Sequence, residues 1–519
     1  MKYEGFLNWK SFKMKLIFEG IIVGIFVGLV ISLFRFFVDK CGIYLPQMYE
    51  YVFGRPVFIV VCIAALVLLG LAMGVLVRLN PMVSGSGIPQ VEGVILRKLH
   101  MNWFGVVVEK FVGSLVSIGS GLSMGIEGPS VQIGAAIGQG IGTILKKTKV
   151  EVKYLVTGGV SAGISTAFNA PLAGTLFAVE EVHKNLSPLV LVSALSSALS
   201  SDFVSREFFG MRPVFDFRST AVLPLRNYPF MIILGLIIGV AGVGFSKGIL
   251  KSQSIYAKSK MKVEFRPIVP FLLSFLVAMF VPKALGEGNV LITALTHGDW
   301  TFKLLFLILI VKFIFTMICV GSGTPGGIFL PLFAVGAIIG CIYANALNYF
   351  WGFDQMYVAT FVILAMAGYF SAVVKAPITG CVLVVEMTGS FTNLLPAAVI
   401  SITAYIISDL LRSRPIYQDL LDRFLRSNTN EEEDEDFGDQ VTVEVPICVG
   451  CYVEGRRIKE VDFPKNCLVL NIKRGDSEII PDGDTIVYAG DYLTILTEEK
   501  KVFKLRERLN EITQVKRKI

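Results

Sequence analysis

Glu127 stands in Gly125-Ile126-Glu127-Gly128-Pro129, an acid inside a stretch that glycine and proline break. Two other stretches break in the same way, Gly85-Ser86-Gly87-Ile88-Pro89 and Gly326-Gly327-Ile328-Phe329-Leu330-Pro331. Each places glycine before proline and then continues as a helix-like run. Glycine permits close backbone approach, and proline at a helix start gives up an N–H that has no intrahelical partner anyway. All three therefore read as helix N-termini beginning inside a membrane. Such ends offer unpaired N–H donors and the positive pole of the helix dipole, which is the chemistry of an anion site. Burying a bare anion costs tens of kcal/mol. One donor to a charged group returns about 1.5–3 kcal/mol, and one dipole up to about 2. A group of donors with residual water can hold the ion where one end cannot. Weak binding also suits passage, because the ion must leave.

A carboxylate among donors meant for an anion is itself a candidate occupant. Charged, Glu127 fills the site; protonated, it leaves, which makes it a gate. An intramembrane acid is a functional candidate by default. The plain alternatives are a carboxylate that permanently caps its helix, and stretches that are only kinks and packing glycines. A phosphate-binding loop is a further rival, with Gly321-Ser322-Gly323-Thr324-Pro325-Gly326-Gly327 as its best stretch. It fits neither GxxxxGK[ST] nor a GxGxxG after a strand.

Ser86 supplies a hydroxyl within the first broken stretch, or else satisfies local backbone. Tyr417, after the last apolar span, reads from position alone as an interfacial belt residue. Glu180 and Glu181 are adjacent, so on a helix they point about 100° apart. Glu181 alone reads as a solvated helix end.

The elements that carry these residues are apolar. Of 519 residues 54% are hydrophobic and 17% charged, against about 25% charged in soluble domains. Spans of about 20 apolar residues are expected at Leu16–Phe37, Val57–Val77, Tyr228–Phe245, Leu304–Val320 and Tyr357–Val374, with a shorter piece at Leu395–Ile407. The first run is too long for a signal-peptide core. Lys2, Lys10, Lys13 and Lys15 precede it against Glu4, so the positive-inside rule puts the N-terminus in the cytoplasm. The net charge of +7 is spread in a way that fits membrane topology and not nucleic acid.

The apolar part repeats itself. Ala170-Pro171-Leu172-Ala173-Gly174 leads to Glu180, and Ala376-Pro377-Ile378-Thr379-Gly380 leads to Glu386 at the same distance. Gly134–Gly138 follows Pro129 as Gly336–Gly340 follows Pro331. The pairing of Glu180 with Glu386 points to a structural role for those two acids, and Glu181 has no counterpart. Paired repeats with broken apolar segments point to a midplane site.

Four regions result: an N-terminal segment 1–14, a membrane domain 15–425, an acidic linker 426–440 around Glu431–Asp436, and a small α+β domain 441–519. In the last, strands are expected at Val441–Val445, Cys467–Ile472 and Thr485–Tyr488, with a helix over Lys500–Asn510. Cys448 and Cys451 form a lone CxxC without a second pair or nearby histidines, so no metal site is expected.

These motifs are recognisable. The three broken stretches, with Ala167-Phe168-Asn169-Ala170-Pro171-Leu172-Ala173-Gly174 and Pro415-Ile416-Tyr417, resemble the signature segments of the CLC chloride channel and transporter family over residues 15 to 425. The resemblance implies an all-α polytopic fold of two inverted halves with broken helices. It also implies a plasma-membrane homodimer with one pore per subunit and a cytoplasmic tail; no enzymatic activity is expected, because the sequence offers no nucleophile–base pair or metal cluster. The central chloride is then held by the Ser86 and Tyr417 hydroxyls and the N–H groups of Ile328 and Phe329, with Gly85, Gly87, Gly125, Gly128 and Gly327 shaping the loops. Glu127 matches the gating glutamate. Glu181 matches the internal proton-transfer glutamate of the exchanger branch, which overrides its reading as a solvated helix end. Both acids together favour coupled chloride/proton exchange over a passive channel, and Ser86 fits chloride; a passive channel and a fluoride exporter of the same fold are the alternatives. The family often has Arg or Lys before the gating glutamate, where this chain has Ile126. The tail resembles the TrkA-C domain, which implies a regulatory module with a small ligand of the nucleotide-like kind. No other cofactor is implied.

Overall fold

Glycine–proline breaks divide the apolar chain into helices of very unequal length. The computed structural model describes residues 2–519 except 185–186, 212, 216, 218–220, 297–299, 429–439, 464–466, 476, 499–508, 510–512 and 514–519. The acidic run Glu431–Asp436 lies outside the described residues, as does most of the helix expected over Lys500–Asn510. The chain separates into two compact units, Met1–Ser427 and Asn428–Ile519.

The first unit is helical. Its first half holds α1 (Lys2–Phe53), α2 (Pro56–Leu79), α3 (Ile88–Ile95), α4 (Trp103–Gly119), α5 (Glu127–Ile144), α6 (Lys149–Phe168), α7 (Pro171–Phe177) and α8 (Pro188–Phe209). The second half holds α9 (Tyr228–Lys258), α10 (Ile268–Phe280), α11 (Asn289–Leu295), α12 (Phe302–Gly321), α13 (Phe329–Trp351), α14 (Val358–Val374), α15 (Pro377–Thr388) and α16 (Leu394–Leu410). α17 (Ile416–Asn428) closes the unit.

The halves repeat each other in packing as well as in sequence. α1 packs on α6 and α8, α5 on α6, and α6 on α8; α9 packs on α14 and α16, α13 on α14, and α14 on α16. Among the described residues nine helices are long and apolar enough to cross a membrane. Helices α3, α5 and α13 begin at Ile88, Glu127 and Phe329, where the glycine–proline breaks place them. Side chains of α14 are almost all buried, as are those of α13 from Phe329 to Ile338, while α1 and α2 turn Phe18, Phe26, Val57 and Leu68 outward. That is the pattern of an inner pair ringed by lipid-facing helices.

The second unit carries one antiparallel sheet in the order β1-β4-β2-β3, with β1 at Gln440–Pro446, β2 at Leu468–Arg474, β3 at Ser477–Ile479 and β4 at Tyr492–Glu498. Val443 faces Ile495, and Ile472 faces Leu493. The expected strand at Thr485–Tyr488 is corrected: that run makes one isolated bridge, Arg457 to Ile486. The alternation was real, since Val487 is buried in the core, but Tyr492–Glu498 holds the inner position between β1 and β2 in the sheet. Arg474 donates from Nε and from Nη2 to Asp491 at 2.9 and 2.8 Å, and the Tyr488 N–H adds a bond of 2.9 Å.

Burial pushes the Asp491 carboxyl up, but the Arg474 bonds and the Tyr488 N–H outweigh it and hold it below its ordinary range. A lowered folded value stabilises above the unfolded one, so this contribution fades as pH falls below about 4. Asp491→Asn is expected to remove about 2 kcal/mol from the second unit at neutral pH. Hydrogen exchange of β4 amides should report it, with the difference vanishing in acid.

Candidate functional site

Backbone hydrogen bonds tie the three broken stretches to one another. Gly125 and Gly327 exchange N–H···O bonds of 2.9 and 2.7 Å. Gly85 N–H donates to the Gly323 carbonyl at 3.0 Å, and Gly326 N–H donates to the Gly85 carbonyl at 2.9 Å. The space between them suits only glycine: a Cβ on Gly128 would lie 2.7 Å from the Ser86 hydroxyl oxygen and 3.1 Å from the Gly327 Cα. Lys110, fully buried in α4, donates to the Val83 and Gly85 carbonyls at 2.9 and 2.7 Å. Those bonds compensate its burial and hold the first loop.

Glu127 is fully buried. Its Oε1 accepts the N–H groups of Phe329 and Leu330, the latter at 3.1 Å. The acid at the start of α5 therefore sits on the N-terminus of α13, from the other half of the chain. Its Oε2 has no partner among the described residues. Of the two expected backbone donors, Phe329 meets this carboxylate and Ile328 does not. Leu330 was missing from the sequence reading, because a helix start offers several N–H groups and local pattern does not say which one a distant acid will meet.

Ser86 is 5% exposed, and among the described residues its hydroxyl accepts a long contact from the Ile88 N–H at 3.5 Å. Tyr417 is not a belt residue: it is completely buried, with its ring 6.0 Å from that of Phe329. The Tyr417 hydroxyl has no hydrogen bond of normal geometry among the described residues, although Ser86 is near enough to interact with it. Glu127 and Glu181 both act on it electrostatically. Two sparsely used hydroxyls and a helix N-terminus thus meet at one place.

Glu181 is 4% exposed, and its Oε1 is buried without a partner among the described residues. It lies in a π-turn, Ala178–His183, that continues α7; such turns recur at functional sites. Its neighbour Glu180, in the same turn, has different partners. Glu180 accepts the Thr379 N–H at 2.8 Å, and Glu386 accepts the Ala173 N–H at 2.8 Å. Each caps a helix of the opposite half. Glu92 and Lys184 form an ion pair beside Glu181. Neither residue belongs to a motif that sequence reading could single out.

The two acids lie at different depths. Lys15 near the start of α1 pairs with Glu151 at the start of α6 at 2.8 Å, and Lys147 after α5 pairs with Glu19. Arg35, about 30 Å further along α1, donates to Asn169 at the end of α6 at 2.9 Å. α5 runs antiparallel to α6, so close that a Cβ on Gly134 would meet the Gly159 carbonyl and one on Gly163 the Ser130 carbonyl. Glu127 is therefore level with the last turn of α6, toward Arg35. His183, two residues past Glu181, bonds Thr157 at 2.7 Å and stacks on Tyr154, toward Lys15. Roughly 10 residues of α6, or about 15 Å, separate the acids in depth. α5 and α13 both aim their N-termini at the centre, so they enter from opposite faces and the halves are inverted.

A cavity of about 570 Å³ leads to the Glu127 side, lined by Arg35, Asp39, Ile126, Asn289 and Leu330 among others. The arrangement can hold a small, partly dehydrated anion between two titratable acids. Among the described residues no group of His, Cys, Asp or Glu could hold a metal ion.

Residues 69–409 match the family model described as voltage gated chloride channel, and residues 442–510 match the TrkA-C domain. The chain is 31% identical over 440 residues to the H(+)/Cl(-) exchange transporter ClcA of Vibrio cholerae serotype O1, covering 83% of this chain and 94% of that protein. It is 35% identical over 356 residues to the ClcA of Yersinia pestis, covering 67% and 74%. Its fold matches a slow cyanobacterial Cl-/H+ antiporter with a TM-score of 0.76 at 28% identity, over 80% of this chain and 98% of that one. A CLC-type fluoride/proton antiporter shares the fold at a TM-score of 0.65 and 22% identity, over 76% and 96%.

Proposed function

The chain belongs to the voltage gated chloride channel family, and we propose from that premise that it exchanges chloride for protons across a membrane. Glu127 is the gate and Glu181 the proton-transfer acid on the other side of the anion site. The observation that carries this reading is the Glu127 carboxylate on the Phe329 and Leu330 N–H groups. A carboxylate in that place competes with chloride for the same donors, and a proton on Glu127 settles the competition. Ser86, Tyr417, Ile328 and Phe329 hold the central chloride. Gly85, Gly87, Gly125, Gly128 and Gly327 let the loops meet.

With the N-terminal lysines in the cytoplasm, Glu127 opens outward and Glu181 inward. The assembly is a homodimer in the cell membrane with a pore in each subunit. The tail is cytoplasmic and regulatory, with a nucleotide-like ligand. The regions are those read from the sequence: 1–14, 15–425, 426–440 and 441–519.

Purified protein in liposomes tests the reading. A chloride gradient is expected to drive protons uphill, followed by simultaneous chloride and pH electrodes. Chloride movement with no proton movement would overturn exchange, and selectivity for fluoride would overturn chloride as substrate. Ser86→Ala and Tyr417→Phe each remove a donor worth about 1.5–3 kcal/mol to an anion. Each is expected to weaken chloride binding roughly 10- to 100-fold, measured by calorimetry.

A further inference from the structure

The first half delivers Ser86 to the anion site on a loop between two glycines of positive φ, Gly85 at 57° and Gly87 at 90°. The second half builds the same loop. Gly286 has φ 70° and Gly288 has φ 113°, with Glu287 between them. Lys312, fully buried in α12, donates to the Ala284 and Gly286 carbonyls, as Lys110 does to Val83 and Gly85. Lys312 precedes Phe329 by as many residues as Lys110 precedes Glu127. Gly286 N–H donates to the Gly121 carbonyl at 2.9 Å, mirroring Gly85 on Gly323, and Gly121 lies in the connection that leads to Glu127. The position of Ser86 is thus occupied in the second half by a carboxylic acid.

Glu287 is not absorbed by local structure. Its Oε1 accepts from the Asn289 side chain, while its Oε2 and the Asn289 Oδ1 are buried without partners among the described residues. Neither carboxylate oxygen is paired with a cation among the described residues, because Lys312 spends its ammonium on backbone carbonyls. Glu287 lines a cavity of about 270 Å³ with Lys283, Asn289 and Trp300. Asn289 also lines the larger cavity beside Ile126 and Leu330, and Leu330 is one of the two residues that hold Glu127. The charged groups facing Glu287 are Asp39 and Arg35 from α1, Glu127 from α5 and Lys312 from α12, with Lys283 across the cavity.

We propose that Glu287 is a proton-transfer residue on the Glu127 side, passing protons between the solution-facing cavities and the gating carboxylate. A proton from water binds the Glu287 carboxylate. The acid then gives it to the charged Glu127 through water in the cavity and returns to the carboxylate form. This rests on the exchange reading, and it gives the route an outer acid to match Glu181.

Glu287→Gln tests it in liposomes with pH varied on one side at a time. Coupled turnover is expected to fall about 100-fold, with the chloride-to-proton ratio kept and the activity profile moved to lower pH on the Glu127 side only. Glu287→Asp is expected to restore part of the rate. In a Glu127→Gln background, where no proton is handed over, Glu287→Gln is expected to leave chloride flux unchanged, which also shows that the variant folds. Unchanged turnover and pH profile in Glu287→Gln would overturn the proposal alone, as would an equal loss in the Glu127→Gln background. Chloride flux without protons in the unaltered protein would overturn the exchange reading and this proposal together.

Discussion

Glu181→Gln is expected to stop proton movement while chloride continues to flow. Glutamine keeps the shape of the side chain but cannot carry a proton at this site. Glu181 is buried, one of its oxygens has no partner among the described residues, and the Glu92–Lys184 pair lies beside it. None of the groups that would hold chloride is altered, since Ser86, Tyr417 and the start of α13 keep their side chains and N–H groups in the variant. Proton flux is expected to fall at least ~100-fold, the lower range for losing a positioned proton donor, with chloride flux within a few-fold of normal. Simultaneous chloride and pH recording separates the two. Protons that keep pace with chloride in the variant would show a route that bypasses Glu181.

Glu127→Gln is expected to uncouple the protein differently, by emptying the site of its own carboxylate. In the structure that carboxylate takes the Phe329 and Leu330 N–H groups. Two bonds to a charged acceptor return together about 3–6 kcal/mol, which in the proposed reading holds the charged carboxylate in place against chloride. A neutral amide forfeits the charge-assisted part and competes poorly. Chloride binding is expected to tighten at least ~10-fold, proton movement to disappear, and chloride flux to lose its dependence on pH. Calorimetry and the same flux assay measure all three. Loss of chloride flux would mean instead that Glu127 is a permanent cap on α13 and not a plug.

Much of the membrane unit is legible in the residues themselves. Composition sets the membrane class, and glycine–proline breaks place the starts of α3, α5 and α13, because both depend on a few neighbouring residues. The repeat is legible where motifs recur, as with Pro171 and Pro377. It is harder to see at Gly286-Glu287-Gly288, since the two glycines recur but the serine between them has become an acid and no proline follows. The tail reads less well. Thr485–Tyr488 alternates like a strand, but ladder hydrogen bonds depend on a partner edge, and β4 supplies it elsewhere.

By itself the sequence determined that this protein lives in a bilayer, that it has two related halves, and that an acid lies among helix N-termini. These follow from burial cost and backbone conformation, which are local. Only the tertiary structure decided that Glu127 reaches the N-terminus of α13 some 200 residues away, that Leu330 is one of its donors, and that Tyr417 is buried in the site instead of in an interfacial belt. It also decided that Glu180 caps α15 of the opposite half while one oxygen of Glu181 is left without a partner among the described residues. Each of these is a pairing between distant segments, set by how inverted halves close on one another. No local pattern of hydrophobicity or turn residues carries that information.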